Sequence, residues 1–93
     1  MAMLNDVKRA LGIALPVTVY DIDLENLIDA AKLDMKICGI KAEKLEKPDA
    51  LINRAVIFYC FAYFKKTDGN DCYLKAYEAL RTHLSLAGEY KDV

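Results

Sequence analysis

The stretch ALINRAVIFYCFAYF, residues Ala50 to Phe64, decides the fold. Read as a helix, it is apolar on nearly every side, and only Asn53 and Arg54 interrupt it. At about 100° per residue, Leu51, Ile52, Ala55, Val56, Tyr59, Ala62 and Tyr63 share one side. Ile57, Phe61 and Phe64 fall opposite, beside Asn53 and Arg54. A helix that is apolar all round must be covered all round. A chain of 93 residues has little material for a second covering. Ile57, Phe61 and Phe64 are therefore candidate contacts with another subunit. The alternative is that the first helix or the loop at Pro16 covers them within one chain.

Working outward, Pro48 opens this helix and Asp49 stands favourably in its first turn. Before it, Lys41 to Lys47 (KAEKLEK) alternates charges of both signs and reads as a solvated loop or an extra turn. A helix from Asp23 to Cys38 precedes that connector. Leu24, Leu27, Ile28, Ala31, Met35 and Cys38 recur at spacings of three and four and form one stripe. Acidic residues begin this helix, Lys32 and Lys36 stand near its end, and Gly39 fits a left-handed stop. Upstream, IALPVTVYDID reads as a structured loop with at most a short strand. Asn5 caps a short amphipathic segment that ends at Gly12.

After the central helix, KKTDGN (Lys65 to Asn70) is a turn. A last helix runs from Asp71 to Ala87, with Tyr73, Ala76, Tyr77, Leu80 and Leu84 as its buried stripe. Asp71 with Lys75 and Glu78 with Arg81 are spaced to pair along it. Gly88 closes it, and Glu89 to Val93 reads as a loose polar tail. The expected fold is all-α. It is a small single-domain bundle (residues 1–93) of about four helices: two long central helices, a short N-terminal helix and a long loop.

Composition narrows the function. The hydrophobic fraction is 55%, the charged fraction 29% and the formal charge −1. That balance excludes disorder and lacks the basic face of a general nucleic-acid binder. No signal peptide or membrane-length apolar segment is read from the sequence. Cys38, Cys60 and Cys72 form no CxxC pair and suit a reducing compartment, with Cys38 and Cys60 acting as small hydrophobes.

Catalytic signals are sparse. His83 is the single histidine and reads as a surface residue without a converging base or nucleophile. Cys60, Cys72 and His83 have zinc-binding atoms, but neither the spacing nor a fourth ligand fits a closed site. The four glycines mark element boundaries and form no phosphate loop. Among six tyrosines, Tyr59, Tyr63, Tyr73 and Tyr77 fit core stripes. Tyr20 and Tyr90, in the loop and the tail, are candidate interface anchors.

LIDAAKLDMKICGI (Leu27 to Ile40) resembles the leucine–isoleucine–x–alanine–alanine–lysine helix, with its glycine stop, of small phage head–tail connector proteins. These are also called adaptor or DNA-packaging proteins. The likeness continues through PDALINRAVIFYCFAYF (Pro48 to Phe64) and YEALRTHLSLAGEY (Tyr77 to Tyr90), and the opening DVKRALGI (Asp6 to Ile13) is similar. It implies a structural subunit without catalytic residues, metal or cofactor, from a phage or a prophage. Such subunits form a homo-oligomeric ring of about a dozen copies, joined by a heterologous contact. The ring would dock beneath the portal protein of a filled capsid, extend the DNA channel without reading sequence, and receive the stopper or tail. The resemblance places the protein at the head–tail interface of the virion, assembled in the bacterial cytoplasm. The competing reading is a small helical DNA-binding module with KKTDGN as a helix–turn–helix corner. Asp71 and Glu78 on the following helix make that helix a poor groove reader.

Overall fold

The structure, a computed structural model, describes residues 2–64 and 70–91. Five helices follow one another: α1 (Ala2–Leu11), α2 (Asp21–Ile37), α3 (Ala42–Glu46), α4 (Ala50–Tyr63) and α5 (Asn70–Leu86). The expected all-α bundle is observed, with one additional short helix. Helix α4 packs against α1, α2 and α5, so its neighbours in the same chain explain most of its all-round apolarity. Ile52, Ala55, Val56, Cys60 and Ala62 are buried along it. This arc is wider than the predicted stripe and differs at its edges, because three helices cover α4. Leu51 and Tyr63, expected inside, lie at the exposed margin.

The N-terminus corrects the Asn5 cap. Helix α1 starts at Ala2, so Asn5 lies within it. Met3, Leu4 and Val7 are buried, and this apolar run outweighs the capping preference of asparagine. Helix α1 ends in a left-handed glycine turn. The Gly12 N–H donates to the Arg9 carbonyl at 3.1 Å, and that of Ile13 to the Lys8 carbonyl at 2.8 Å.

Helix α2 ends the same way. The Gly39 N–H donates to the Lys36 carbonyl at 3.0 Å and the Ile40 N–H to the Met35 carbonyl at 3.1 Å. Ile40 is buried beyond the turn, the apolar contact that accompanies this motif. Gly39 has φ +97° with open space where a Cβ would stand, so backbone strain alone opposes a side chain. Gly39→Ala is expected to cost about 1 kcal/mol, read as a lower urea midpoint at unchanged m. Cys38, expected on the buried stripe, is exposed at the C-cap position. The helix has already ended there, so its periodicity no longer applies.

The KAEKLEK connector is an extra turn of helix, α3, anchored by buried Leu45. Asp49 caps α4 instead of entering its first turn. Its Oδ1 accepts from the Leu51 N–H at 3.0 Å and the Ile52 N–H at 3.1 Å. Of the turn expected at Lys65 to Asn70, residues 65–69 lie outside the described residues and Asn70 begins α5. Arg81 pairs with Asp34 of α2 at 2.7 Å, replacing the expected partner on its own helix.

The stretch from Ile13 to Tyr20 is a structured loop, as expected, with turns at Leu15–Pro16 and Val19–Tyr20 and no strand. The loop is held by Lys8 of α1, which is 2% exposed. Its Nζ donates to the Leu15 carbonyl at 2.8 Å and the Val17 carbonyl at 2.6 Å, and stands 2.9 Å from Asp21 Oδ1. The tail, expected to be loose, is docked as far as Lys91. The Lys41 N–H donates to the Tyr90 carbonyl at 2.7 Å, and Ile40 and Lys91 form an isolated antiparallel bridge. Tyr90 is buried, its hydroxyl donates to Asp49 Oδ2, and Lys44 Nζ lies 5.1 Å from its ring centre. A buried aromatic with a satisfied hydroxyl outweighs the polarity of its neighbours.

Candidate functional site

Two of the five sequence-chosen contact residues meet. Tyr20, at the end of the Lys8-held loop, sets its ring edge-on to Phe64 beyond α4, with centroids 5.3 Å apart. They line a cleft of about 500 Å³ with Asp23, Asn26, Leu27 and Tyr63. Helix α2 supplies the Asp23–Leu27 wall and α4 the aromatic wall. The cleft combines aromatic area with a carboxylate and an amide at its rim. Such a surface can seat a protein side chain and fix its orientation.

The other three chosen residues lie elsewhere. Phe61 stacks on Tyr73 of α5 at 4.7 Å. Ile57 lines a second cleft, about 310 Å³, between α1 and α4 with Asp6, Arg9 and Arg54. Both are half-buried, as is Phe64. Tyr90 is turned inward and acts within its own chain as the latch on the α4 cap. The Asp49 carboxyl is held below its ordinary value of 3.8 first by the Tyr90 hydroxyl, with the α4 backbone N–H groups adding to this against burial.

Sequence reasoning missed Asp23, Asn26 and Leu27 as lining residues, because Asp23 and Leu27 were accounted for by the start and stripe of α2 and Asn26 carried no signal of its own. Tyr63 was assigned to the core; it is an exposed cleft wall, tilted on Tyr59 at 4.6 Å. Tyr73 is likewise at the exposed margin. Tyr77 does enter the core. Its hydroxyl donates to Asp34 Oδ2 at 2.5 Å, while Arg81 donates to the same oxygen. Burial pushes the Asp34 carboxyl up, but these hydrogen bonds and the guanidinium charge outweigh it and leave it below 3.8.

The groups with reactive potential do not converge. Cys60 is buried in α4, and burial pushes its thiol up to about 12. Cys72 and His83 are exposed on α5. Among the described residues, no three of His, Cys, Asp and Glu stand together as a metal site. No helix among them is long and apolar enough to cross a membrane.

The phage connector protein family matches residues 3–91. The chain belongs to that family. This matches the resemblance carried by Leu27–Ile40 and Pro48–Phe64, and it gives the connector a head–tail role in a phage particle. The match runs from α1 to the docked tail and takes in all five helices. The family is structural, so a surface cleft that binds another protein is the kind of site to seek on this connector. Neither a curated protein nor a solved structure matches the chain.

Proposed function

We propose that the chain is a single head–tail connector domain whose copies assemble as a ring beneath a portal, extend the DNA channel and receive a stopper or tail-completion protein. Family membership over residues 3–91 carries this reading. The cleft supports it physically, since an aromatic recess with a polar rim suits one half of a heterologous contact. In this reading Tyr20 and Phe64 form its floor, and the half-buried Ile57 and Phe61 extend the same contact system along α4. The mild negative charge of −1 favours a channel wall that lets DNA pass.

The test is capture by the portal encoded beside the connector gene. The purified chain should join the portal as a ring of about a dozen copies, seen by mass determination or electron microscopy. Tyr63→Glu, which puts a charge on the exposed cleft wall, should weaken that assembly at least about tenfold while the isolated chain keeps its helicity. A connector that neither self-associates nor binds its portal would overturn the proposal.

A further inference from the structure

Helix α4 has an outward side with Arg54 at its middle. The side chain is exposed, and Leu51, Ile57, Phe58 and Phe61 lie within about 60° of it around the axis. Leu51 is exposed and the other three are half-buried. Arg54 makes no hydrogen bond or ion pair among the described residues. Asp6, which shares the α1–α4 cleft with it, stands 3.4 Å from Arg9 instead. Arg81, the remaining arginine of the chain, is bound to Asp34. An unpaired arginine ringed by apolar side chains has the make-up of an interface anchor. The Tyr20–Phe64 cleft has the complementary make-up. No cation lines it, and Asp23 at its rim is exposed and makes no hydrogen bond or ion pair among the described residues. Tyr63 presents a ring that is 41% exposed.

We infer that Arg54 of one copy seats in the Tyr20–Phe64 cleft of the next, a contact that rests on the ring assembly proposed above and names its two halves. The guanidinium lies against the Tyr63 ring and turns its N–H fork to the Asp23 carboxylate. A planar guanidinium does both at once, which suits this cleft better than the compact ammonium of a lysine. The apolar side chains around Arg54 close over the mouth and keep water from the pair. A chain cannot fill its own cleft, because Tyr63 is opposite Arg54 around α4 and about 14 Å further along it. Each copy therefore gives Arg54 on one side and receives the next on another, a heterologous contact that repeats from copy to copy. Charge complementarity selects the occupant. The cleft offers a carboxylate without a cation, and the outward side of α4 offers a cation without a carboxylate. Asp23 alone balances the incoming charge, so Tyr63→Glu would lose the stacking ring and add a carboxylate that nothing neutralises.

Mass determination of the full chain, alone and with its portal, tests the contact. Arg54→Gln and Asp23→Asn should each weaken assembly of the wild-type ring at least about tenfold. Arg54→Asp and Asp23→Arg should weaken it further. The double variant Arg54→Asp/Asp23→Arg restores opposite charges across the contact and should assemble at least about tenfold better than either of these single variants. Both positions are exposed, and circular dichroism establishes that the variants are folded. If the wild type forms rings and Arg54→Gln forms them equally well, the contact is overturned and the head–tail role stands. Loss of assembly with Asp23→Asn but not with Arg54→Gln would assign the guest of the cleft to another protein and overturn the contact as well. A double variant no better than the single ones would do the same. A wild-type chain that assembles neither alone nor on its portal would overturn the contact and the head–tail reading together.

Discussion

Lys8→Met should lower the stability of the chain by about 3 kcal/mol, near the bottom of the range for removing one partner of a buried ion pair. Methionine matches the volume of the lysine stem, so the loss isolates the ammonium group. Without it, the carbonyls of Leu15 and Val17 and the Asp21 carboxylate lose the donor that joins them. Asp21 is 26% exposed and can recover some hydration, which keeps the cost from reaching the upper end. A domain of this size has a total stability of about 5–14 kcal/mol, so the change should depress Tm by roughly 15 °C. Double substitution, Lys8→Met with Asp21→Asn, should recover part of the loss, because the stranded charge is gone. An unchanged Tm for Lys8→Met would show that the clamp contributes nothing. The consequence reaches the cleft. Lys8 ties down the loop that ends at Tyr20, so a released loop should be cut faster by protease near Pro16 and should weaken portal capture.

That clamp illustrates what sequence reading reaches and what it does not. The 3.6-residue periodicity of α2 and α4 was legible because apolar side chains recur along one face, and it located Leu24, Ile28, Ala31, Met35, Ile52 and Val56 in the core. Gly39 was legible because few residues other than glycine tolerate its backbone. Lys8 was not. A lysine on a short amphipathic helix looks like solvent-facing charge, and its burial depends on two carbonyls that the folded loop brings to it. Tyr90 was hidden for the same reason: its partners Lys41, Lys44 and Asp49 are more than forty residues away in sequence. Asn5 and Cys38 show the opposite error, where a local rule was applied at the wrong place: a capping rule inside α1, and a helical period past the end of α2. For the candidate site, Tyr20 and Phe64 were chosen separately, and the fold brings them together. Ile57, Phe61 and Tyr90 were chosen on equal terms and are dispersed. Periodicity reports which face of one helix is apolar, but not which loop closes over it.

Tyr77→Ala should cost about 4 kcal/mol, the largest single loss expected in the chain. Tyr77 is among the largest fully buried side chains and meets Tyr59 edge-on at 5.1 Å, so truncation opens a cavity between α4 and α5. Tyr77→Phe keeps the ring and removes the hydroxyl, and should cost about 1–2 kcal/mol at neutral pH because the lost hydrogen bond is to a charged group. The two variants differ in their response to acid. The Asp34 carboxyl titrates below its ordinary value of 3.8 in the folded chain, despite burial, because Tyr77 and Arg81 stabilise the carboxylate. A depressed carboxyl pKa contributes stability that is complete above the unfolded value and is lost as pH falls through the folded one. Thermal melts from pH 7 down to about pH 2.5 should therefore show the gap between wild type and Tyr77→Phe narrowing on the acid side. The additional loss in Tyr77→Ala, which comes from packing, should persist at every pH where the chain still folds. A Tyr77→Phe gap that stays constant through the acid range would mean that the hydroxyl does not stabilise the Asp34 carboxylate. The α2–α5 junction would then be held by ring packing and Arg81 alone.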